Sequence, residues 1–170
     1  DGAHYSAIAV HDAALTVEGC RLTSHQGATV WIGGPAAQVV LRDCHMDGGA
    51  QNAVWVTQEA RAEMDACRVT GHRWPVTVGG QHASLVVRDC EIVDNLDGGI
   101  VAMGRATLVV ERTTVARNAG AGIVLGEPAP ASRVEGCTIE ANSELGVVVG
   151  GGRGAAVLRN RIVDNAVGIV

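Results

Sequence analysis

The stretch Leu85–Gly104, LVVRDCEIVDNLDGGIVAMG, decides the fold. Leu85 and Val87 alternate with Val86 and Arg88, and Cys90 and Ile92 alternate with Glu91 and Val93. Asn95 opens a turn, Gly98 and Gly99 close it, and Ile100 begins a third run. Alternation over two to four residues, punctuated by Asn and Gly, predicts very short strands.

Working outward, the same rung recurs along the chain. Positions equivalent to Cys90 are Cys20, Cys44, Cys67, Thr113, Cys137 and Asn160, at steps of 23 or 24 residues. Three residues earlier stand Val17, Leu41, Met64, Val87, Val110, Val134 and Val157, and two later Leu22, Met46, Val69, Ile92, Val115, Ile139 and Ile162. Five later come His25, Gly49, His72, Asn95, Asn118, Asn142 and Asn165. The third run supplies Val30/Ile32, Val54/Val56, Val76/Val78, Ile100/Ala102, Ile123/Leu125 and Val147/Val149, and Ile8/Val10 belong to a partial coil before the first. A fixed period of this size means a solenoid.

Leu15-Val17-Cys20-Leu22 imitates a leucine-rich repeat, but the inward positions are mostly Val and Ile, which favour strand. No leucine-bearing helical segment separates the rungs, and a second alternating pair follows a Gly turn in nearly every coil. Left-handed β-helices wind on hexapeptides, about 18 residues per coil, which the period does not match. The expected fold is therefore all-β: one parallel β-helix of about seven coils of 23–24 residues, with three parallel sheets, over residues 1–170.

The pattern V-x-V-x-x-C-x-I-x-x-N-x-x-x-G-I-x-V resembles the right-handed parallel β-helix repeats of the pectate lyase-like superfamily. That group includes polysaccharide lyases, polygalacturonases, mannuronan epimerases and NosD-type periplasmic proteins. The resemblance covers nearly the whole chain and implies the hand of the winding. It rests on core and turn positions, so it is specific for fold and not for activity. It also implies that the sheet after the Asn-to-Gly turn forms the floor of a sugar groove.

The repeat explains its own residues. Each coil sets identical positions about 4.8 Å above the last. One coil cannot bury its own face, so stacking neighbours supply the stability. Asn at the turn tolerates the left-handed region and pairs with copies above and below. Gly99, Gly122, Gly146 and Gly168 are expected to supply turn conformations barred to other residues. Cys20, Cys44, Cys67, Cys90 and Cys137 share one inward column and act as small apolar side chains, spread along a line rather than converging on a metal.

Hydrophobic content of 47% without an apolar run of membrane-spanning length predicts a packed core and no membrane span. A net charge of −5 argues against nucleic acid as partner. Every cationic side chain other than His is Arg, which removes lysine chemistry. Buried free thiols favour a reducing, cytoplasmic compartment. With no initiator Met and no cap at either end, the chain reads as a piece of a longer protein.

Outward columns carry any function. Glu18, Arg42, Asp65, Arg88, Glu111 and Glu135 read as a solvated ladder that fixes register. The third run carries Trp31, Trp55, Thr77, Val101, Val124 and Val148, with Trp74 beside it before Pro75. These positions should face out as a stripe about 24 Å long. Exposed apolar stripes mark contacts, and Trp serves as a protein anchor or a sugar platform.

No cofactor, metal site or catalytic group is indicated. The floor column has no acid, and Glu59, Asp97, Glu127 and Glu144 stand singly near its rim. The D-P-H-E signature of the resembled epimerases does not occur. His25 and His72 occupy Asn-ladder turns, His45 lies between Arg21 and Arg68, His82 is alone in a loop, and His4 and His11 flank the partial coil, where a site completed elsewhere could use them. Gly150–Gly154 is not a phosphate loop, because no helix follows. The favoured function is a non-catalytic interaction module that contacts a protein partner, a flanking domain or itself through the stripe. The alternative is a carbohydrate-binding or polysaccharide-active domain on the same face.

Overall fold

The computed structural model describes residues 5–151 and 154–170 as a parallel β-solenoid without helix. Three rows of strands run along it. The first row, from Ala14–Glu18 to Ala156–Leu158, is a seven-stranded parallel sheet. The second and third rows belong to one thirteen-stranded sheet. They fuse because His45–Val56 and Arg68–Gly79 each run on as single 12-residue strands. Elsewhere the Asn-to-Gly corner separates the rows, as between Glu91–Val93 and Ile100–Met103. Where Gly48-Gly49 and Gly71-His72 replace that corner, pairing continues through it, with one register shift between Gly49 and Asn52.

The expected registers hold. Leu41, Met64, Val87, Val110 and Val134 follow one another up the first row, and Met46, Val69, Ile92, Val115 and Ile139 up the second. All are essentially buried. Each such aliphatic side chain contributes about 1.5–3 kcal/mol against full exposure, and the stack makes one continuous core.

The polar ladder is equally regular. The Nδ2 groups of Asn95, Asn118 and Asn142 each donate to the Oδ1 of the next Asn at 2.9 Å. They also donate to Val69, Ile92 and Val115 carbonyls of the coil before. His72 continues the column below Asn95, its backbone N–H donating to Asn95 Oδ1 at 3.0 Å. His25 is exposed and outside the ladder.

Two expectations need correction. Gly99, Gly122, Gly146 and Gly168 do not adopt left-handed backbone; the first three are required by crowding, and Gly168 by neither. A Cβ on Gly122 would lie 2.7 Å from the Gly146 carbonyl oxygen and 2.8 Å from Ile139 Cγ2. The left-handed corners instead carry residues such as Asp43 (φ 48°), Asp89 (φ 51°), Asp94 (φ 57°), Arg112 (φ 47°) and Arg117 (φ 55°). Second, Cys20 is exposed, while Cys44, Cys67, Cys90 and Cys137 are buried. Cys44, Cys67 and Cys137 donate to the Val17, Leu41 and Val110 carbonyls of the preceding coil, while Cys90 donates to Arg88 in its own. No described first-row strand precedes Ala14–Glu18, so Cys20 has no such roof and donates only to Glu18 in its own coil.

Outside, Arg112 grips Asp89 through two hydrogen bonds at 2.8 and 2.7 Å, and Arg117 grips Asp94 at 2.8 Å twice. Arg88 reaches Glu111, which Arg133 also contacts.

Candidate functional site

The third-row column has the expected alternation. Ala9, Trp31, Trp55, Thr77, Val101, Val124 and Val148 are successive register partners, and the residues flanking them point into the core. The column is not the exposed stripe that the sequence suggests. Trp55, Thr77, Val101, Val124 and Val148 are half-buried, and Trp31 is buried at 6% exposure.

Trp31 is covered although it points away from the core. Its indole reaches over Gly33, with Cζ2 2.6 Å from where a Gly33 Cβ would stand. His11, from the preceding coil, stacks on it with centroids 6.2 Å apart and planes 21° from parallel. Gln58 Oε1 approaches from the other side, 3.1 Å from the same Gly33 Cβ position. A missing side chain two residues along the strand thus lets the ring fold down. His4 lies outside the described residues, as do Gly152 and Arg153.

Farther up, the face opens into a groove of about 180 Å³. Thr77, Val101 and Val124 form its floor, and Trp74, 46% exposed, forms a wall. Pro75 beside Trp74 is buried, which fixes the approach of that wall. Asn52 Nδ2 donates to Thr77 Oγ1 at 2.7 Å at the edge of the floor.

Two of the acids that seemed isolated in the sequence meet here. Asp97 and Glu144 both line the groove. Gly120 lies between them in the stack, its N–H donating to Asp97 O at 3.0 Å while Glu144 N–H donates to Gly120 O at 3.4 Å. The two backbones are therefore two coils apart, about 9.6 Å, and Asp97 Oδ1 reaches over the intervening Gly120, 2.8 Å from its Cβ position. Neither carboxylate has an ion pair or hydrogen bond among the described residues. The signal was present in the period, since Asp97, Gly120 and Glu144 are spaced 23 and 24 apart.

A larger cleft, about 650 Å³, lies at the far end of the third-row strands. Gln81, His82, Arg105, Glu127, Pro130 and Gly151 line it. His82, Arg105 and Glu127 occupy left-handed corners of successive coils.

The remaining candidates are dispersed. His45 is exposed between Arg21 and Arg68 in register. Burial pushes the Cys44 and Cys137 thiols up, which keeps them protonated and poor nucleophiles. Among the described residues no helix is long and apolar enough to cross a membrane.

A parallel β-solenoid with an aromatic-walled groove along its axis is the class that fold and face define. The family model described as the right handed beta helix region matches residues 42–170, and the chain belongs to that family. The same match gives the winding its right hand. Among solved structures, the chain is similar to the A-module of the mannuronan C-5 epimerase AlgE6 of Azotobacter vinelandii, with TM-score 0.61 and 13% identity. The alignment covers 97% of this chain and 57% of that one. No curated protein matches the chain.

Proposed function

We propose that this chain binds a polysaccharide along its third-row face, with Trp74 as the stacking platform. The observation that carries the reading is the half-exposed Trp74 indole standing as a wall over the Thr77–Val101–Val124 floor. An indole presents a broad, rigid apolar face with one polar edge. The floor continues to Val148, and from Thr77 to Val148 it runs about 14 Å along the axis. A groove along the axis suits an extended chain better than a compact ligand. The similarity to a mannuronan epimerase module agrees with a glycan as ligand.

The reading is binding rather than turnover. The floor carries no titratable side chain, and the two carboxylates that line the groove stand on its rim. Trp31 takes no part, because it is covered, and the half-buried Trp55 does not line the groove.

The test is a tryptophan-emission titration with hexasaccharides of neutral, cationic and anionic sugars. At least one should shift the emission and saturate, and Trp74→Ala should abolish binding while leaving the melting transition in place. Saturable binding that survives Trp74→Ala, or no binding by any hexasaccharide, overturns the proposal.

A protein partner or second copy on the same face is the other reading. It draws on Leu96 and Met103, which are 67% and 49% exposed. A concentration-dependent mass in light scattering, lost in Val124→Arg, would favour it.

A further inference from the structure

We infer that the groove selects a glycan bearing free amino groups, such as a glucosamine oligomer, over neutral and acidic chains; this rests on the glycan-binding reading of the same face. Three features point the same way. Asp97 and Glu144 line the groove and neither is neutralised by a described residue. The lining contains no Arg, Lys or His. Arg73, next to Trp74 in the chain, is exposed but does not line the groove.

The third feature is the wall itself. An ammonium group over an indole face is attracted by the ring quadrupole, most strongly for Trp. Trp74 thus favours a cationic sugar independently of the carboxylates. The apolar floor of Thr77, Val101 and Val124 excludes part of the solvent that would otherwise screen the charges.

The geometry also limits the ligand. Gly120 lies between the two acids in the stack, and because it has no side chain Asp97 Oδ1 reaches over it, 2.8 Å from where a Gly120 Cβ would stand. Two ammonium groups of one extended chain can meet Asp97 and Glu144 together. A polyuronate would bring its carboxylates against both acids with no guanidinium to receive them, and like charges facing each other disfavour binding. The groove therefore differs in charge preference from one built to hold an acidic polymer.

The experiment compares three hexasaccharides on the full chain: glucosamine, N-acetylglucosamine and galacturonate. It is run by calorimetry at mildly acidic pH, where the sugar amines are protonated. The glucosamine hexamer should bind about tenfold more tightly than its N-acetylated form, as expected for two partly screened charge contacts, and the galacturonate hexamer most weakly. Salt of about 1 M, which shortens screening to about 3 Å, should erase the preference. Asp97→Asn with Glu144→Gln should lower the ratio severalfold, to the smaller preference that Trp74 supplies by itself. Glu144→Gln alone, at an exposed position, should move the ratio the same way if the double variant folds poorly. Equal or tighter binding of the neutral or acidic hexamer overturns the inference but leaves the glycan groove intact, and so does a ratio that survives both substitutions. If no hexamer binds, the groove reading and this inference fall together.

Discussion

The His72 ring occupies the space that a side chain at Gly49 would need: its Cδ2 lies 2.8 Å from the position of a Gly49 Cβ. Through that gap the imidazole reaches down to the preceding coils. Nε2 lies 3.2 Å from Thr29 Oγ1, and Nδ1 lies 2.8 Å from the Thr70 carbonyl oxygen. A carbonyl only accepts, so Nδ1 carries the proton and Nε2 accepts from the Thr29 hydroxyl. The ring is neutral and fully buried. Gly49→Ala should therefore cost about 1–3 kcal/mol in a urea titration.

The same ring makes stability depend on pH. Burial lowers the His72 pKa below its ordinary 6.5, partly opposed by the Thr70 carbonyl and by Asp47. The unfolded chain takes up a proton near 6.5 while the folded one resists it. The unfolded state then binds more protons, so stability rises with pH in that window. Support present above pH 6.5 should fade as pH falls from 6.5 toward the lower folded value. Asp89, Asp94 and Glu111 are held low by Arg112, by Arg117, and by Arg133 with Arg88, respectively, and their support fades only below their ordinary 3.8, 3.8 and 4.5. Denaturation midpoints at successive pH values should show the upper step, and His72→Asn should remove it. A step unchanged in that variant would assign it to another group.

The corner glycines should divide by position. Gly122→Ala drives a methyl against the Gly146 carbonyl and Ile139, so about 1–3 kcal/mol should be lost. Gly146→Ala meets the Gly168 carbonyl oxygen at 2.5 Å and should behave alike. Gly168→Ala meets nothing within 4 Å and should fall within about 0.5 kcal/mol of the parent. Equal losses at all three would mean that conformation, not crowding, fixes these glycines.

What was legible followed the period. Strand rows, registers, the Asn ladder and the buried Cys44, Cys67 and Cys90 all repeat, so one rung exposes them. The mistakes lie where a residue's role depends on its neighbours in space. Gly99 and Asp89 stand at corners of the same coil, yet it is Asp89 that takes positive φ. A hint was available: Gly19, Asp43, Ala66, Asp89, Arg112 and Gly136 share a column, and its glycines mark it as left-handed. The burial of Trp31 was not readable, because it depends on a rotamer that Gly33 permits. The groove's two acids were readable by counting coils.

The buried ladder should fail at its middle before its end. Asn118 donates to Ile92 O and Asn142 Oδ1, and its Oδ1 accepts from the backbone and side-chain amides of Asn95. Asn118→Ala takes that acceptor from both Asn95 amides in a buried site, at about 1–3 kcal/mol per lost partner. Asn165 is only part-buried and has no described Asn above it, so Asn165→Ala should cost less. Chemical denaturation of the two variants checks the order.

Gly33→Ala tests the cover over Trp31. The new methyl would stand 2.6 Å from Trp31 Cζ2, too close for the ring to stay. The indole should lift from the sheet, lose its stack on His11 and move toward water. Loss of an aromatic contact is worth about 0.5–1.5 kcal/mol beyond area, so the melting shift should be modest while the emission of Trp31 moves to the red. Measured in a Trp55→Phe, Trp74→Phe background, that emission reports Trp31 alone. An unshifted spectrum would mean that the ring is held down by something other than the gap at Gly33.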